Sequence, residues 1–196
     1  MQQQAIFLIA LLLTGFGLTA QDKIDGKRVK RLTVSNVIDA PAAEVWAVVG
    51  EDYGAIAFSH PKIVASEYIN GSLRAGEGAE RVCNFNEKGT QFLREVQRSY
   101  DPANYTFVNQ VTSAGKFPVD PQRTFAVYKV EAIDANTSRF TMNMTFRTTP
   151  AFLGGMMRGA FENLINDYAI AIEHHLKTGE RVTKENFKSV KKQYAR

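Results

Sequence analysis

The side chains able to do chemistry in this 196-residue chain are few and widely spaced. His60 stands alone beside Pro61, whereas His174 and His175 fall together in a helical stretch. An imidazole titrates near neutrality, as general acid–base work requires. No second titratable residue is tied to His60 by spacing, so ligand contact, catalysis and ordinary loop packing all stay open for it. Arg81, Arg94, Glu95 and Arg98 fall on two segments that read as adjacent strands. On an inward parity, an Arg–Glu pair there would orient the polar head group of a bound molecule. On an outward parity, the same residues are salt pairs on a solvated face. The alternations conflict. Cys83 and Phe85 put Arg81 inward, while Phe92 and Val96 put Arg94 inward and Glu95 outward.

Other chemistries lack material. Cys83 is the single cysteine, so no intrachain disulfide can form, and with three histidines a Cys/His zinc site has no ligand set. Between Val82 and Asn84 it reads as a small buried hydrophobe, not a nucleophile. There is no phosphate-binding Gly-Lys-Ser/Thr loop, nucleophile elbow, His-Glu-x-x-His or paired carboxylate, and Gly76-Glu77-Gly78 lacks the third glycine of a dinucleotide site. No metal and no cofactor is expected. Phe92, Phe107, Tyr128, Phe140, Met142 and Met144 are either plain core or the wall of an apolar pocket, where thioether chains repack readily.

Charge and hydropathy bound the setting. The net charge of +4 is concentrated at the ends, with five basic and two acidic residues in Gln21–Leu32 and seven basic and two acidic in Lys177–Arg196. Basic termini of this kind make a weak contact with anionic membrane surfaces, and they do not make a nucleic-acid face. Ala5–Leu18 is a run of 14 apolar or small residues followed by Thr19-Ala20. A spanning helix needs about 20 residues, so the run reads as a secretory segment cut after Ala20, which places the mature protein in a periplasmic or extracellular space.

The elements that must position these residues follow from periodicity. Val29–Ile38 reads as a strand, Pro41 opens a short helix over Ala42–Val49, and Glu51–Phe58 forms a second helical turn. Six strands follow: Ile63–Ile69, Ala79–Asn86, Gln91–Arg98, Tyr105–Val111, Arg123–Ala132 and Thr137–Thr148. Their mostly short connections require antiparallel neighbours. In the last strand Phe140, Met142, Met144 and Phe146 share one face, opposite Thr141, Asn143, Thr145 and Arg147, as in a sheet covered on one side. Met156–Lys177 is a long amphipathic helix with Met157, Phe161, Leu164, Tyr168 and Ile172 on one stripe. Val182, Phe187, Val190 and Tyr194 make the tail a short, weakly docked helix or a mobile arm.

At this point the chain resembles the START-like/SRPBCC superfamily, which includes polyketide cyclase/dehydrase-type and pollen-allergen-like ligand carriers. The resemblance rests on Val37-Ile38-Asp39-Ala40-Pro41 with Glu44-Val45-Trp46, on Gly76 to Cys83, on Leu93-Arg94-Glu95-Val96 running to Tyr100-Asp101, and on the terminal helix. It implies an α+β helix-grip fold of β-α-α-β6-α order: a curved seven-stranded antiparallel sheet, two short helices, and a long C-terminal helix. The domains become a signal peptide (1–20), an N-terminal arm (21–28), the ligand-binding domain (29–177) and a basic tail (178–196).

The resemblance also implies a cavity between sheet and helix, with its mouth ringed by residues 53–61, 113–121 and 150–157. The expected ligand contacts are Phe58, His60, Arg81, Cys83, Phe85, Phe92, Arg94, Phe107, Tyr128, Phe140, Met142, Met144, Met157, Phe161, Leu164 and Tyr168. The leading expectation is an exported, non-enzymatic binder of a hydrophobic small molecule or lipid. A cyclase/dehydrase-type enzyme using His60 and Glu95, or an envelope-accessory interaction protein, are the alternatives.

Overall fold

Alternation at a period of two governs the chain from Lys30 to Phe146. In the computed structural model, which describes residues 23–194, it builds a single seven-stranded antiparallel sheet. The expected export segment lies outside the described residues. The chain opens on a small hairpin, β1 (Lys23–Ile24) with β2 (Lys27–Arg28), turning through Asp25 and Gly26. The sheet consists of β3 (Lys30–Ile38), β4 (Ala65–Tyr68), β5 (Glu80–Asn84), β6 (Phe92–Asp101), β7 (Thr106–Ala114), β8 (Phe125–Ala132) and β9 (Ser138–Phe146). Their spatial order is β3-β9-β8-β7-β6-β5-β4, so the first strand pairs with the last and the rest form a meander. Leu32, Val34 and Ile38 of β3 and Phe140, Met142 and Phe146 of β9 bury on one face. Thr33 and Asn143 hydrogen-bond to each other on the other.

Between β3 and β4 come α1 (Ala42–Trp46), a π-type turn (Ala47–Glu51) and a 3₁₀ segment (Tyr53–Phe58). The helix expected over Ala42–Val49 thus loosens after one turn. The cause is visible at Gly50. A Cβ there would stand 2.6 Å from the Trp46 ring, so only glycine lets the chain fold over that indole. Trp46 in turn packs between Tyr100 and Tyr105, with ring centroids 5.5 Å away from each.

Helix α2 (Gly154–Thr178) closes the concave face, packing against β3 and β9. Phe161, Ile165, Tyr168, Ala169 and Ile172 are its buried inner stripe. It ends at Gly179, whose φ of 72° supplies the left-handed cap and whose N–H returns to the His175 carbonyl. This is the helix-grip arrangement.

The polar back of α2, which the sequence predicts to be solvated, is exposed at Arg158, Glu162 and Asn163 but covered over the C-terminal half of the helix. The Val182 N–H bonds the Phe58 carbonyl, and α3 (Phe187–Gln193) then lays Phe187 and Val190 on Ala171. His174 is buried against the end of this layer, with Nδ1 3.2 Å from the Tyr194 hydroxyl, Glu173 is buried and paired with Lys177 of its own helix, and Asp167 pairs with Lys191 at 2.6 Å. The tail is a docked helix.

Candidate functional site

Between the sheet and α2 lies a cavity of about 90 Å³. A single water needs roughly 10–15 Å³ on this measure, so the space holds several waters or one small ring system. Most of its wall is apolar, formed by Phe85, Leu93, Val111, Phe117, Met142, Met144, Phe161 and Leu164 among others. One side is different. There β5, β6 and β7 bring Arg81, Glu95 and Asn109 side by side, facing His60 and Tyr128.

The polar side is a bonded network. Arg81 and Glu95 are direct cross-strand partners, and Arg81 Nε donates to Glu95 Oε2 at 2.8 Å. Asn109 Nδ2 donates to Glu95 Oε1 at 2.7 Å, and the Tyr53 hydroxyl donates to Asn109 Oδ1. Arg81 Nη1 donates to the Tyr53 carbonyl at 2.7 Å, with the guanidinium stacked 4.0 Å from the Tyr53 ring centroid. Both carboxylate oxygens of Glu95 are therefore occupied. These bonds use Arg81 Nε and Nη1, and Nη2 takes part in neither. The pair is inaccessible to bulk water, with side-chain exposures of 2% and 8%. A buried pair this well bonded is costly to break, because loss of one member strands the other's charge.

Electrostatics set the protonation states. Burial pulls against the charge on Arg81, yet the Glu95 carboxylate, with Cys83 and Tyr53 beyond it, holds its pKa well above the ordinary value. Burial, and then the Arg81 charge, lower His60 to about 3, so its imidazole is neutral. Its Nδ1 accepts from the Lys62 N–H at 3.1 Å, which places the proton on Nε2 and makes His60 a neutral donor. Its ring lies on Tyr168, centroids 4.9 Å apart. Burial pushes the Cys83 thiol far up, and Cys83 sits 3.5 Å from Glu95 Oε2 as a weak donor.

Of the residues expected to contact a ligand, His60, Arg81, Cys83, Phe85, Tyr128, Met142, Met144, Phe161, Leu164 and Tyr168 all line the cavity. Glu95 lines it too, correcting the outward parity that Phe92 and Val96 assigned it. Arg94 points away and is exposed, because Leu93, Glu95 and Gln97 take the inner face of β6. Phe92 packs over Gly115 instead, where a Cβ would meet its ring at 2.6 Å. Phe107 and Phe140 are core one layer back, Phe107 stacked on Tyr128 at 4.6 Å. Phe58 is 52% exposed, with Arg181 over its ring.

Met157 lines a second, outer hollow of about 540 Å³ together with Lys62, Asn86 and Lys184. Phe85, Phe117, Phe161 and Leu164 border both spaces, so an aromatic layer divides them. Within it the Phe85 and Phe117 centroids are 4.7 Å apart. Asn109 and Tyr53 were not foreseen. The signal for Asn109 is its place between Phe107 and Val111 on β7, which share its inward parity.

Residues 30–171 match the family described as “Polyketide cyclase / dehydrase and lipid transport”. Several solved structures share the fold. A Thermobifida fusca protein is 24% identical, over 78% of this chain and 96% of its own, with a TM-score of 0.62. XoxI from Bacillus cereus is 19% identical over 76% and 96%, with a TM-score of 0.58. Ara h 8.0201 is 19% identical over 76% and 99%, with a TM-score of 0.62. At these identities the likeness speaks to fold alone. No curated protein matches the sequence.

Proposed function

The chain belongs to the polyketide cyclase/dehydrase and lipid transport family, and from that premise we propose that it is an exported binding protein for a mostly apolar molecule with one polar end. The observation that carries this reading is the division of the cavity into an apolar wall and a bonded polar side. The apolar wall rewards burial at roughly 25 cal/mol per Å². Arg81 Nη2 and the neutral His60 donor would select an oxygen-bearing head. At about 90 Å³ the inner space takes only the head and its first carbons. A longer ligand such as a lipid would pass the Phe85–Phe117–Phe161 layer, with its tail in the outer hollow.

The cyclase-type alternative would use the same cavity to fold a substrate. The carrier reading is preferred because Glu95 spends both oxygens on structure and His60, with its pKa lowered to about 3, is too weak a base to take up a proton near pH 7. Export rests on the apolar run Ala5–Leu18.

Native mass spectrometry of gently extracted protein tests the proposal, together with titration by a fluorescent fatty-acid probe. A copurified apolar ligand is expected, and Ala126→Leu, which fills the cavity, should cut probe affinity at least tenfold with the fold intact. No copurified molecule, and a probe indifferent to Ala126→Leu, would remove the carrier reading. Turnover that vanishes in folded His60→Ala would favour the enzyme. N-terminal sequencing of the secreted form is expected to begin at Gln21, and an uncut chain retained in the cytoplasm would remove the export clause.

A further inference from the structure

Among the described residues, the two most exposed large apolar side chains are Phe152 and Met156, at 82% and 74%. They stand four residues apart, where the Ala151–Leu153 turn runs into α2. Beside them is an open groove of about 750 Å³ lined by Lys27, Arg28, Lys30, Arg147 and Phe152 among others. No acidic side chain of the described residues lines it. Arg158, also exposed, lies just beyond in the second turn of α2.

The backbone that carries Lys27 and Arg28 is held in place. Arg123 donates through Nε to the Ile24 carbonyl and pairs through Nη2 with Asp25, each at 3.1 Å, which pins the β1–β2 hairpin to the sheet. Arg147 Nη1 bonds the Arg28 carbonyl at 2.8 Å. The Lys30 stem runs along Gly154, 3.4 Å from where a Cβ would sit.

Exposed apolar tips beside a cluster of cations match the layering of a bilayer surface, where lipid phosphates lie above the acyl boundary. We propose that this end of the molecule docks on an anionic lipid bilayer, with Phe152 and Met156 entering the acyl boundary and Lys27, Arg28, Lys30 and Arg158 meeting lipid phosphates. Of the two basic ends, the N-terminal one does this. At the other end Lys177 and Lys191 are paired with Glu173 and Asp167. Met157, the next residue of α2, lines the outer hollow, so the docking face adjoins the proposed tail site. The docking itself does not depend on what the cavity holds.

The test uses the full chain. Cys83 is the single cysteine and is buried, so Ala151→Cys and, at the opposite end of the sheet, Asn136→Cys can each carry an environment-sensitive dye. Vesicles of phosphatidylcholine, with or without about 30 mol % phosphatidylglycerol, supply the surface. The dye at 151 should shift to the blue only with anionic vesicles, the dye at 136 should not, and added salt should weaken the response.

Each cation near such a surface is worth a factor of about five, so Lys27→Gln/Arg28→Gln should weaken partition roughly 30-fold. Phe152→Ser/Met156→Ser should abolish the shift. The proposal is overturned if both dyes respond alike, if neither pair of substitutions matters, or if free inorganic phosphate produces the same change. A dye at 151 already blue-shifted without vesicles would overturn it too, by showing that another part of the chain covers the patch.

Discussion

Acidification should weaken the fold through His60, because its buried site disfavours the protonated ring. The imidazole is walled in by Arg81 from β5, by Tyr168 from α2 and by the neighbouring Lys62 backbone. With no carboxylate bonded to it and a positive charge close by, its pKa falls from 6.5 to about 3. In the unfolded chain the same group regains its ordinary value near 6.5. Between these limits the unfolded state binds the extra proton, so stability is fully present above about pH 6.5 and is lost as pH falls.

Each pH unit in this range removes a little over 1 kcal/mol, which accumulates to roughly 2–3 kcal/mol between pH 7 and pH 4.5. Other groups titrate in this range, so the measurement must be a difference. In His60→Asn the side-chain oxygen can still accept from the Lys62 N–H, while the titration is removed. Urea unfolding of both proteins at pH 7, 5.5 and 4.5 is the assay. The wild type starts ahead because its ring packs on Tyr168, and its lead should shrink by about 2–3 kcal/mol by pH 4.5. A gap constant to within about 0.5 kcal/mol over that range would refute the reasoning, because it would mean that folded His60 takes up its proton as readily as the unfolded chain.

The buried pair should behave asymmetrically: Glu95→Gln, which strands the Arg81 charge, should cost about 3–5 kcal/mol in urea unfolding. Arg81→Met/Glu95→Leu together should cost far less than the sum of the single changes, and simple additivity would count against a coupled pair. Cys83, 1% exposed and with its thiol held protonated, should react with a disulfide reagent roughly a hundredfold more slowly in the native protein than in urea; equal rates would contradict the burial. Phe187→Ala should release α3, so that trypsin cuts after Lys184 or Lys188 while the unfolding midpoint of the domain scarcely moves. A tail still resistant to trypsin would show that docking does not rest on Phe187.

The architecture was legible wherever one face of an element is dry and the other wet. Phe140, Met142 and Phe146 alternate against Asn143, and the inner stripe of α2 repeats at the helical period, so strand and helix are specified by the same segregation. The back of α2 was not legible for the converse reason. His174 and Asp167 look like part of a solvated face, and they are covered because a later segment satisfies them, Tyr194 and Glu180 for His174 and Lys191 for Asp167. Alternation records the polarity of a face. It cannot record that a partner from a distant part of the chain makes a polar face buriable.

The same limit explains the site. On β6 the rule that apolar residues point inward puts Phe92 and Val96 on the cavity side, and the molecule does the opposite. Glu95 and Gln97 face in because each has a complete set of partners. Glu95 has Arg81 and Asn109, while Gln97 donates to the Gly50 carbonyl at 3.0 Å and accepts from the Gly76 N–H at 2.7 Å. Val96 is buried on the outer face and takes no part in the main core. A strand that turns its carboxylate inward and its valine outward gives up apolar burial on the concave side for a fixed donor array around a space it does not fill. Hydrogen-bond satisfaction makes that inversion tolerable. Replacing Arg81 and Glu95 together by apolar residues tests what the inversion is for: if stability survives and probe binding is lost, the polar side serves the ligand rather than the fold.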